Sequence, residues 1–91
     1  MNDSGQIRGS AEADTIVESA VLQQVLALHP IVITLDELLL EIEGEGETTF
    51  AQRDAVERAV RDLAAAGLVH RRDSFVLPSR AALRFDELLG E

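Results

Sequence analysis

Eight arginines, two histidines and seventeen carboxylates are the residues of this chain that can do chemistry. There is no cysteine, which excludes disulfides, thiolate metal sites and thiol nucleophiles. All the strong cations are arginine, whose planar fork grips phosphates and carboxylates. Seven of them (53, 58, 61, 71, 72, 80 and 84) fall between residues 51 and 84, against four acids. Residues 1–50 hold the reverse, ten acids and Arg8. A chain of net charge −9 therefore carries one basic segment, the electrostatic footprint of a phosphate-binding surface. The competing reading is that these arginines pair with neighbouring carboxylates.

Other chemistry is weakly specified. His29 and His70 are too far apart in sequence, and too few, to suggest a metal site. His29 precedes Pro30 and reads as the end of a helix, where imidazolium meets the negative pole. The run Glu41–Glu47 alternates acids with Gly44 and Gly46 but lacks the Asp-rich spacing of a calcium loop. No catalytic triad, paired-carboxylate spacing or glycine-rich phosphate loop is present, so the chain reads as a non-enzyme without cofactor or metal. It has no Trp or Tyr, and its three Phe are expected in the core or at its edge. That argues against a stacking platform for single strands.

The elements that would position the arginines follow from periodicity and caps. At 91 residues the chain allows one domain with a small core. Residues 1–13 read as a disordered polar tail and 14–91 as a single domain. Helix 1 is expected from about Thr15 to Leu28, capped by Asp14, with Val17, Val21, Val25 and Leu28 on one face. Leu22 and Leu26 form a second stripe, available to another subunit. Ile31–Ile33 suits one short strand. Thr34 and Glu37 have capping-box spacing, so helix 2 starts near Leu35 and buries Leu35, Leu38, Leu39 and Ile42. Thr49 and Gln52 repeat that spacing before helix 3, from Phe50 to Ala66, with Val56, Ala59, Val60 and Leu63 inward. Gly67 fits the left-handed position after it. Two runs, 68–71 and 74–77, read as a hairpin turning at Arg72-Asp73. Pro78 stops the strand, and Ser79 caps helix 4, Arg80 to Leu89.

The order helix-strand-helix-helix-hairpin-helix, mainly α with a small β-hairpin (α+β), is that of the winged helix. The stretch from Asp54 through Leu63-Ala64-Ala65-Ala66-Gly67-Leu68-Val69, with Phe75-Val76-Leu77-Pro78 after it, resembles the recognition helix and wing of the winged-helix transcription regulators. Residues 15–89 carry this resemblance, and it is similar to that of small winged-helix proteins of high-GC bacteria. It implies a DNA-binding regulator. Helix 3 would enter the major groove with Arg53, Asp54, Glu57 and Arg58 near the bases and Arg61 further along. His70, Arg71 and Arg72 would touch DNA from the wing.

Charge qualifies that expectation. Asp54–Arg58, Glu57–Arg61 and Arg58–Asp62 are i,i+4 pairs that can neutralise helix 3. Asp36, Glu37, Glu41, Glu43, Glu45 and Glu47 would stand near a phosphate strand and repel it. Binding to double-stranded DNA is therefore expected to be weak per subunit, salt-sensitive and dependent on a homodimer. Leu22, Leu26, Phe85, Leu88 and Leu89 are the candidate dimer contacts. The alternative is a protein-interaction adaptor without DNA binding, whose acidic helix 2 region meets a basic partner. No secretory signal or membrane span is legible, so a cytoplasmic location is the default expectation.

Overall fold

The order of elements is helix, strand, helix, helix, hairpin, helix: α1 (Asn2–Leu28), β1 (Ile33–Thr34), α2 (Leu35–Glu43), α3 (Phe50–Ala65), β2 (Val69–Arg72), β3 (Phe75–Pro78) and α4 (Arg80–Leu89). The computed structural model describes residues 2–44, 46 and 48–90, with side chains from residue 12 onward. The fold is mainly helical, with one small antiparallel sheet of three strands.

Caps set the helix boundaries. Thr34 Oγ1 accepts from the Glu37 N–H at 3.1 Å, and the Glu37 carboxylate accepts from the Thr34 N–H at 2.9 Å. Thr49 and Gln52 repeat the reciprocal pair at 3.0 and 2.8 Å, so α2 and α3 each begin on a complete capping box. At the far end of α3, Gly67 takes φ 84° and lets the Leu68 N–H return to the Leu63 carbonyl at 2.9 Å. Ser79 is buried, and its Oγ accepts from the Ala82 N–H at 3.1 Å to start α4.

Three boundaries differ from the sequence expectation. α1 begins at Asn2 rather than near Thr15, which makes Asp14 an interior helix residue instead of an N-cap. The side chains of residues 1–11, most of the expected tail, lie outside the described residues. β1 is Ile33–Thr34, and Ile31 and Val32 stand exposed before it. The strand is placed by its partner: Ile33 pairs with Val76 and Thr34 with Phe75 on β3. The hairpin turns at Asp73-Ser74, one residue later than expected, because Arg72 pairs with Phe75. Asp73 takes φ 56°, a left-handed conformation that a short polar side chain tolerates.

The sheet order is β1-β3-β2. Its inward face carries Ile33, Val69 and Val76, all buried. These join Val21 and Val25 of α1, Leu38 and Leu39 of α2, and Val56, Ala59, Val60 and Leu63 of α3 in one core. α1 packs chiefly on α3, and Leu22 packs against the core from its half-buried position. None of the three Phe is in that core: Phe50, Phe75 and Phe85 are 87%, 39% and 63% exposed. Phe50 opens the first turn of α3 ahead of the inward stripe, Phe75 sits beside the hairpin turn, and Phe85 lies on the outer side of α4. Among the described residues, no helix is long and apolar enough to cross a membrane.

A candidate arginine surface on α3 and the hairpin

The arginines of α3 divide by what they meet. Arg53 points back to α2, where its guanidinium donates twice to Asp36 Oδ1, at 2.7 and 3.1 Å. Arg58 turns towards α1. It donates to Asp54 Oδ2 at 3.2 Å and to Asp14 Oδ1 at 3.4 Å, in a shallow recess shared with Glu18 and Asp62. Both arginine side chains are only 41% exposed. Of the three i,i+4 pairs expected on this helix, Asp54–Arg58 forms. Glu57–Arg61 and Arg58–Asp62 do not form ion pairs among the described residues. Arg58 is drawn instead to Asp14, which the interior position of that residue on α1 makes available.

Arg61 is the exception. It is exposed and, among the described residues, has no ion-pair partner. It lines a hollow of about 430 Å3 between α3 and the hairpin, together with Glu57, Ala64, Leu35 and Arg71. Arg71 reaches this hollow for a reason of sheet geometry. Alternate residues of a strand face opposite sides, so Arg71 shares the inward face with Val69 and stands opposite Val76. It lies just beyond the covered part of that face, and its guanidinium donates to the Asp73 carbonyl at 3.3 Å.

His70 and Arg72 therefore project from the other face, opposite Leu77 and Phe75. The two neighbouring wing-tip arginines expected to act together are directed to opposite sides of the hairpin. Arg72 is exposed and without an ion-pair partner among the described residues, and His70 is exposed. The hollow between α3 and the hairpin brings together Arg61, Arg71 and Glu57. Asp54 and Arg58 form a separate cluster on the α1 side, and Arg53 a third on the α2 side. Leu35 and Ala64 complete the hollow and were not foreseen, because only the packing of α2 against α3 brings them to it.

The dimer candidates also separate. Leu22 and Leu26 are half-buried within the chain, and Leu22 packs against that chain's own core. Phe85, Leu88 and Leu89 are 63%, 64% and 70% exposed along α4. On the same helix, Arg84 donates to Glu87 at 2.9 Å. Of the acidic run, Glu41 and Glu43 are seen, while Glu45 and Glu47 lie outside the described residues. Among the described residues, no three His, Asp or Glu side chains come together as a metal ion would require.

No protein-family model matches the chain, and comparison with curated proteins and with solved structures likewise gives no match.

Proposed function

We propose that the chain is a small winged-helix protein that binds double-stranded DNA as a homodimer and regulates transcription. The observation that carries this reading is the placement of Arg61 and Arg71. They face one hollow between the third helix and the hairpin, and no carboxylate engages either of them among the described residues. Cations left unpaired in this way are free to replace counterions on a phosphate strand. Arg72 adds a further cation on the outer face of the hairpin, where a wing meets backbone or minor groove.

The reading shifts emphasis along α3. Arg53 and Arg58 are held by Asp36, Asp54 and Asp14, so they must break ion pairs before touching DNA. Contact is centred instead on Arg61 and the hairpin. Three arginines per chain neutralise few phosphates against a net charge of −9, and this is why a dimer is part of the proposal. Six arginines from two chains give a salt slope of roughly −5 in log–log form.

The test is fluorescence anisotropy with a random-sequence duplex pool across a salt series. Micromolar binding that collapses with salt is expected. Arg61→Ala and Arg72→Ala are each expected to flatten the slope by about two in the dimer, one per chain. Binding unchanged in both variants, or no binding at low salt, would overturn the reading.

A further inference from the structure

Four large apolar side chains stand in the open beside α2, away from the arginine surface. Ile31 and Val32, between α1 and β1, are 69% and 44% exposed. Leu40 is 53% exposed, and Phe50 is 87% exposed at the start of α3. Helical spacing explains Leu40. Leu35, Leu38, Leu39 and Ile42 share the inward side of α2, which leaves Asp36, Glu37, Leu40 and Glu41 outward. Leu40 also joins the set. It lines a groove of about 240 Å3 with Leu28, Ile31 and Val32, and a second hollow of about 450 Å3 with Phe50.

The border of this apolar strip is acidic. Glu37 and Glu41 line the groove, and Asp36 lines the second hollow. Among the described residues, the one cation lining either of them is Arg53, which is already bound to Asp36. The two glutamates are held in place and still have capacity. Glu37 uses one carboxylate oxygen on the Thr34 N–H at 2.9 Å, and Glu41 uses one on Gln24 Nε2 at 3.3 Å. Both side chains are exposed, and among the described residues the second oxygen of each accepts no hydrogen bond.

That border selects the occupant. DNA or an anionic membrane would meet like charge. A second copy seated symmetrically on this strip would bring the same acidic border against itself. A segment with apolar anchors flanked by Lys or Arg satisfies both the floor and the rim. We propose that this strip docks a basic amphipathic helix of another protein, with apolar side chains on Leu28, Ile31, Val32 and Leu40 and cations on Glu37 and Glu41. The proposal does not rest on DNA binding, since it uses none of the arginines of that surface.

The test uses the full chain and a fluorescein-labelled amphipathic helical peptide of Leu and Lys. A Leu/Glu peptide of the same pattern is the control. The Leu/Lys peptide is expected to bind at micromolar concentration, more weakly as salt rises, with amide NMR shifts centred on residues 31, 32, 40 and 41. The double variant Ile31→Ser/Leu40→Ser and the single variant Glu41→Lys are each expected to weaken binding about tenfold. These positions are exposed, so an unchanged melting curve confirms that the fold is retained. The proposal is overturned by no binding, by equal binding of the Leu/Glu peptide, or by undiminished binding to the double variant. Concentration-dependent shifts at residues 31 and 40 in the chain alone would also overturn it, in favour of self-association.

Discussion

Arg58 illustrates how a side chain's neighbours in space can redefine it. Its spacing from Asp54 and Asp62 offered two partners on its own helix. The structure keeps the first and replaces the second with Asp14, 44 residues away. Arg53 finds Asp36 across 17 residues in the same manner. Neither partner could be read from local spacing, because each depends on how α3 lies against α1 and α2. The arginine surface was therefore legible as a basic segment, but its division into paired and unpaired members was not. A prediction follows for Arg58→Ala. Half-exposed ion pairs contribute at most about 1 kcal/mol. The variant is expected to lower the urea midpoint slightly and to leave DNA affinity nearly intact, in contrast to Arg61→Ala. Equal loss of DNA affinity in the two, at unchanged stability, would return Arg58 to the reading surface.

At the scale of elements, legibility tracks the range of the signal. Thr34 with Glu37, Thr49 with Gln52, Gly67 and Ser79 act within a few residues, and each was readable before the fold was known. The short strand after Pro30 was readable too, but its bounds were not, because a two-residue strand is delimited by its ladder to β3 and not by its own β-branched residues. The hairpin slipped by one residue for the same reason: Arg72 pairs with Phe75, and its own type says nothing of that. Gly67 gives a direct test of the local signals. A Cβ there would meet nothing within 4 Å, so Gly67→Ala isolates the cost of φ 84° in a residue with a side chain. The expected loss is about 1 kcal/mol by thermal or urea denaturation, with the fold retained. A neutral or stabilising Gly67→Ala would mean that the end of α3 relaxes into a different cap.

For the whole molecule, the balance of exposed apolar surface matters more than its total charge. Phe85, Leu88 and Leu89 form an uncovered face on α4, whereas Leu22 packs against the core of its own chain. The expected self-association is therefore through α4. Light scattering at micromolar concentration is expected to give a dimer mass, and Leu88→Glu a monomer that melts as cooperatively as the parent. Leu22→Glu is expected to destabilise each chain, whatever its oligomeric state, since it puts a charge against packed side chains. A parent that is already monomeric would remove α4 from this role. The joint between sheet and α4 gives that helix a further property. Pro78 is the last paired residue of β3, Ser79 donates its N–H to the Leu68 carbonyl at 2.9 Å, and Arg80 already belongs to the helix. No slack separates them. α4 thus works as a ruler anchored at the root of the hairpin: a body fixed to its outer face stands at a set pitch from Arg71 and Arg72, and one residue inserted before Ser79 would rotate that pitch without touching either arginine.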